Sequence, residues 1–288
     1  MKWLVNRVIP IVFAVVLVAF VAFVLYDSHR TRNTPPKIEC ASEELTVSIH
    51  DGRDALLQGV TATDAEDGDL TGQVLVESIS RFLSKGVCRV TYVVQDSHNA
   101  VTKATRTVKY SDYVSPRFTL TEPLTFDYGK SFDPSDNLTA TDCIDGDLTD
   151  AIRMTLMEDS STISGVGRWN VQFRVVNSMG EAAHLDAVIN VRNQSTLEKR
   201  YSPNIKLKEY LTYLPLNAKF DPASYVTGIS VAAEDAPDNP LDLRMRLRTS
   251  SEVDTATPGT YTVTYTCVSS NGYSGSVDLI VVVEDAAA

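Results

Sequence analysis

The chain has 288 residues, 37 of them acidic and 26 basic, for a formal net charge of −11. A hydrophobic content of 43% excludes wholesale disorder, and the length suits two or three small cores. Residues 1–34 carry +3, whereas the remaining 254 hold 22 basic and 36 acidic side chains, a balance of −14. Such a body repels phosphate backbones, so no nucleic acid is expected among its partners.

The first element is Val8–Tyr26, 19 apolar residues without a charge. At 1.5 Å per residue it spans roughly 28 Å, close to the hydrocarbon thickness of a bilayer. A cleaved signal peptide has a shorter apolar region, about 7–15 residues, and an A-x-A-like exit. This run leaves through Asp27-Ser28-His29-Arg30. It therefore reads as an uncleaved signal anchor at 8–26, contacting the lipid bilayer, with Trp3 and Tyr26 at its interfaces. Lys2 and Arg7 place residues 1–7 in the cytoplasm and residues 27–288 outside, with 27–35 as a polar stalk. The tail Glu284-Asp285-Ala286-Ala287-Ala288 has no sorting motif, so attachment is expected to rest on this helix.

Beyond residue 35 the chain repeats itself. Pro36-Lys37-Ile38-Glu39-Cys40 matches Pro116-Arg117-Phe118-Thr119-Leu120 and Pro203-Asn204-Ile205-Lys206-Leu207. A second match links the strands opening at Gly86, Gly167 and Gly259, each alternating apolar and polar residues as a half-buried strand does. Closing strands follow at 102–110, 182–191 and 276–284, after turns at Asp96-Ser97-His98-Asn99, Asn177-Ser178-Met179-Gly180 and Ser269-Ser270-Asn271-Gly272. No helical periodicity is evident outside the anchor. The expected fold is all-β: three tandem Ig-like β-sandwiches at 36–112, 113–194 and 195–285.

The motif Asp64-Ala65-Glu66-Asp67-Gly68-Asp69-Leu70-Thr71 recurs as Asp142-Cys143-Ile144-Asp145-Gly146-Asp147-Leu148-Thr149. With the following strand and Asp-x-x-Asn turn, it resembles the bacterial Ig-like domain first named from a pesticidal crystal protein. The resemblance covers roughly residues 35–192. The third unit keeps Phe220-Asp221-Pro222 but replaces the acidic motif with Ala233-Glu234-Asp235-Ala236-Pro237-Asp238, and so is divergent. The resemblance implies a spacer or adhesive module of a bacterial surface protein, without catalytic activity.

Four cysteines provide an internal check. Cys40 takes the inward slot of Leu120 and Leu207, and Cys88 that of Trp169 and Tyr261. A Cys40–Cys88 disulfide is expected, closing a loop that the chain-entropy model values at about 4 kcal/mol; the alternative is two buried thiols. Cys267, in the slot of Val94 and Val175, reads as a packed thiol.

The acidic turns are the candidate metal site. Asp64, Glu66, Asp67 and Asp69, with Asp142, Asp145 and Asp147 in the repeat, supply oxygen ligands of the kind calcium takes, with Asp96 or Asn177 as completing groups. The competing reading is structural, since Asp-Gly turns satisfy their own backbone donors. No other cofactor is indicated.

The candidate partner surface lies within Leu241-Asp242-Leu243-Arg244-Met245-Arg246-Leu247-Arg248, where period-two alternation sends Arg244, Arg246 and Arg248 outward as a cationic stripe. Arginines grip carboxylates and anionic glycopolymers by bidentate contacts. The competing reading is a solvated face or a protected edge strand. The histidines His29, His50, His98 and His184 are scattered, and no nucleophile elbow, phosphate loop or H-E-x-x-H is present, so no enzyme is expected. The chain reads as a membrane-anchored extracellular Ig-like spacer or adhesion module, binding an envelope glycopolymer or surface protein. The alternative is an accessory or sensor subunit that docks on a membrane or envelope protein through its third domain.

Overall fold

The computed structural model describes residues 2–30, 33–157 and 162–285. An N-terminal helix, α1 (Lys2–Arg30), contains the apolar run, and Ile9–Tyr26 has a mean hydropathy of 2.9 with no part of it buried. It is long and apolar enough to cross a membrane. The chain divides into two compact units, 1–113 and 114–288.

The first unit contains one sandwich. Its smaller sheet has β1 (Lys37–Cys40) and β4 (Gly68–Asp69) flanking β3 (Val60–Asp64). Its larger sheet runs β2 (Glu44–Val47), β7 (Val101–Tyr110), β6 (Val87–Gln95), β5 (Leu75–Ile79). β2 lies parallel to β7, and the other pairs are antiparallel. The alternation in β6 buries Cys88, Val90, Tyr92 and Val94 completely or nearly so. Burying tyrosine demands an acceptor for its hydroxyl. The Leu56 carbonyl, in a short 3-10 turn at Arg53–Leu57, accepts the Tyr92 hydroxyl at 2.7 Å.

The second unit contains two sandwiches of the same plan. In one, β8 (Arg117–Leu120), β10 (Leu138–Asp142) and β11 (Gly146–Asp147) face the sheet of β9 (Thr125–Asp127), β14 (Ala182–Arg192), β13 (Gly167–Val176) and β12 (Arg153–Leu156). A short helix, α2 (Thr196–Tyr201), leads to the other. There β15 (Asn204–Leu207) pairs with β17 (Val226–Ser230), opposite a sheet of β16 (Leu211–Leu214), β20 (Ser274–Val283), β19 (Gly259–Val268) and β18 (Arg248–Ser251). A third helix, α3 (Pro240–Met245), follows β17 in the chain and packs on β17 and β19. Tyr265, in the slot of Tyr92, donates its hydroxyl to the Pro222 carbonyl at 2.8 Å.

These two sandwiches share a core. Leu211 and Ile280 from the third bury with Phe118, Leu120, Leu138 and Phe173 of the second. The Tyr213 hydroxyl accepts the Phe118 backbone N–H at 2.9 Å, and Arg117 Nη2 donates to both carboxylate oxygens of Glu284 at 2.7 Å. Residues 114–288 are therefore one body with two sandwiches in it.

Two expectations need correction. Both extra helices are absent from the periodicity because each has only six residues; their signals are caps. Ser195 and Glu198 form a reciprocal capping box, and Asn239 caps a helix that has Pro240 in its first turn. The bridge expected between Cys40 and Cys88 is not formed: both are thiols. Burial raises the pKa of the Cys88 thiol.

Candidate functional site

The acidic turns are built alike in both sandwiches that carry the motif. Asp64 Oδ1 accepts the N–H groups of Glu66 and Asp67, each at 2.8 Å. Asp142 Oδ1 does the same for Ile144 and Asp145. Gly68 and Gly146 then turn the chain at φ +79° and +75°, a region that side chains with a Cβ disfavour. Asp69 and Asp147 accept from Thr71 and Thr149, whose hydrogen bonds hold both carboxyls below the usual range.

The central acid of each turn reaches across to the closing hairpin. Asp67 accepts the N–H and hydroxyl of Ser97, and Asp145 those of Ser178. In the third sandwich Asp238 takes both groups of Ser270, so the clasp survives although the motif around it has changed. The preceding residue is Asp96, Asn177 or Ser269, and its side-chain oxygen caps the hairpin by accepting the N–H of Ala100, Glu181 or Tyr273.

This geometry gives each of the seven acids named for calcium a hydrogen-bond partner in its own loop or a neighbouring segment. Glu66 accepts from Thr34, and Asp67, Asp69, Asp145 and Asp147 each serve separate loop donors. Among the described residues, no three His, Cys, Asp or Glu side chains converge as a metal site. Asp64 and Asp142 are the two members that point inward.

The arginine stripe is also rearranged. Arg244 lies on α3 and donates to the Val226 carbonyl. Arg246 pairs at 2.7 Å with Asp238, whose side chain is fully covered. Arg248 opens β18, the edge of its sheet. The three do not form the face of one strand. What α3 exposes instead is apolar: Leu241 is 69% and Met245 80% accessible, while Leu243 is buried.

Sequence reasoning missed a cleft of about 620 Å³ inside the second compact unit. Its walls come from β9, α2 and the starts of β15 and β20. Asp127 binds Lys199 at 2.7 Å and Lys130 at 3.0 Å, and these ammonium groups depress its pKa. Glu122 and Glu198 add charge, and Phe126 stacks on Phe132 with ring centres 4.2 Å apart. Arg192, its pKa lowered by burial, is held by Ser276 at the inner end. The lining comes from three separate stretches between Glu122 and Val277, so no local pattern announces the cleft.

Against known proteins, the chain is 26% identical over 209 residues to the pesticidal crystal protein Cry22Aa of Bacillus thuringiensis, covering 71% of this chain and 27% of that one. It is 25% identical over 189 residues to an uncharacterized 81.3 kDa protein of Acholeplasma phage L2, covering 62% and 22%. The chain thus spans about a quarter of the length of these relatives. Among solved structures, it aligns with CBM51-2 and INT domains of ZmpB from Clostridium perfringens at 24% identity and TM-score 0.23, covering 52% and 26%. It also aligns with the lipoprotein BT2262 of Bacteroides thetaiotaomicron at 11% identity and TM-score 0.22, covering 57% and 98%. Such scores bear on neither ligand nor partner. The expected resemblance to bacterial Ig-like domains is met, and in the sandwich whose acidic motif is most altered: residues 224–283 match the family of bacterial surface protein Ig-like domains.

Proposed function

We propose that this chain is a non-catalytic surface-binding module, held in the cell membrane by α1 with residues 33–285 on the outer side. The observation that carries the reading is the union in one chain of an apolar helix with a bacterial surface Ig-like domain. The first sandwich acts as the spacer nearest the helix in sequence. The cleft of the second compact unit is the binding face, and its ligand is an envelope glycopolymer. A stacked aromatic pair beside paired carboxylates and ammonium groups offers apolar contact and hydrogen bonds together, as polar polymers require.

Two measurements test this. Protease added to intact cells should digest residues 33–285 while membranes retain the α1 fragment; release of an intact, shortened protein would mark α1 as a cleaved leader. Full-length protein in detergent should bind purified envelope polymers, and Asp127→Asn with Phe126→Ala should weaken that binding at least tenfold.

A second reading rests on α3. Leu241 and Met245 stand exposed beside Arg244, which suits docking on a membrane or envelope protein through the third sandwich. Stoichiometric recovery of one membrane protein, lost in Met245→Asp, supports that subunit role; binding to polymers without such a partner supports the first.

A further inference from the structure

Two oxygens in the first compact unit are buried without a hydrogen-bond partner among the described residues: Asp64 Oδ2 and, ahead of β1, Asn33 Oδ1. The second sandwich shows what the first lacks. There Asp142 Oδ2 receives the Asn177 amide at 3.3 Å, and both side chains are buried. The slot of Asn177 is held in the first sandwich by Asp96, as the shared hairpin bonds and the serine clasps establish. An aspartate in that slot presents a carboxylate oxygen where an amide N–H₂ stood. Asp96, 6% accessible, thus takes the slot opposite Asp64, 8% accessible, whose Oδ2 has no donor among the described residues.

Asn33 completes the arrangement. Its Nδ2 lies 2.5 Å from Asp96 Oδ2, so its orphaned Oδ1, on the same amide, is within a few ångströms of that carboxylate. Thr34 follows by donating to Glu66, tying the segment after α1 to the acidic turn. Two acidic side chains covered together, one with an orphaned oxygen, are completed by a cation.

We propose that Asp64, Asp96 and Asn33 bind one divalent cation of the calcium class, a site confined to the first sandwich and fastening the segment after α1 to it. The donors are all hard oxygens, three from the protein, with water completing a shell of six to eight. Asn33, once its amide oxygen turns to the ion, is a ligand from outside the sandwich. The second sandwich, where the Asn177 amide already meets Asp142 Oδ2, needs no ion.

The full-length chain in detergent should take up about one Ca²⁺ by isothermal titration, and its thermal melt should rise with Ca²⁺ relative to chelator. Asp96→Asn reproduces the Asn177 donor and so should fold, lose the ion and melt independently of Ca²⁺; Asp64→Asn should also lose it. Absence of Ca²⁺ uptake at millimolar concentration would overturn the site. So would uptake of equal stoichiometry in Asp96→Asn. A proton shared by Asp64 and Asp96 is the other overturning outcome: no ion uptake, with wild-type stability gaining on mild acidification and Asp96→Asn not responding.

Discussion

Arg246 and Asp238 form an ion pair at 2.7 Å whose carboxylate also closes the Ser270 clasp, so this arginine of the expected cationic stripe is a structural part of the third sandwich. Removing Arg246 takes the cationic partner from this covered carboxylate and leaves it with the Ser270 donors. Arg246→Ala is expected to cost about 2 kcal/mol, whereas Arg248→Ala, on an exposed edge strand, should fall within about 0.5 kcal/mol. Chemical denaturation of the two variants checks the contrast. A binding loss in a triple arginine variant would otherwise be misread as loss of a contact surface.

Acid should weaken the clasps. Hydrogen bonds from Ser97, Thr71, Thr149 and Ser270 hold Asp67, Asp69, Asp147 and Asp238 below the usual carboxylate range. A carboxylate depressed in the folded state contributes stability above its unfolded value, about 3.9, and loses it as pH falls through the lower folded value. Melting temperature should therefore be level near neutrality and fall below about pH 4. Asp67→Asn should flatten that limb; an unchanged acid limb would show that these clasps do not govern it.

The buried tyrosines set the opposite limit. Burial raises the pKa of both Tyr92 and Tyr265. A group raised on folding contributes fully below its unfolded pKa, about 10, and its contribution disappears as pH rises through the folded value. Their phenolate absorbance should appear only with alkaline unfolding. Tyr92→Phe leaves the Leu56 carbonyl without its donor and should cost about 1 kcal/mol, as should Tyr265→Phe at Pro222.

The cysteine slots illustrate what the sequence made legible. Cys88 and Cys267 are fully buried where alternation put them, because period-two burial is a local property of a strand. The hairpin turns were equally plain, and with them the slot shared by Asp96, Asn177 and Ser269. The stripe at 241–248 failed because eight alternating residues fit a strand, while Asn239-Pro240 starts a helix by a capping rule that period does not see. The Asp127 cleft and the Tyr213–Phe118 bond were out of reach, since they join segments that only tertiary packing brings together. Thiol labelling checks the remaining expectation. Cys143, exposed, should react first, and all four cysteines should react after denaturation; two reactive thiols would restore the Cys40–Cys88 bridge.

The shared core of the second compact unit makes a prediction about cooperativity. Leu211 and Ile280 belong to the third sandwich by chain position yet are 5% accessible within the core of the second. Each removes apolar surface from water that a separate sandwich would leave exposed, and a fully buried side chain of this size is worth about 1.5–3 kcal/mol. Ile280→Asp places a charge in the apolar core that holds Leu120 and Leu138. The two sandwiches should then part, and calorimetry should resolve separate transitions for residues 114–194 and 195–285 where the native unit shows one. Arg117→Ala, which removes only the half-exposed pair with Glu284, should keep the single transition and lower it by a few degrees at most. If Ile280→Asp also melted in one step, the sandwiches would be coupled through β16 and β8 by the Tyr213 hydrogen bond rather than by the buried side chains.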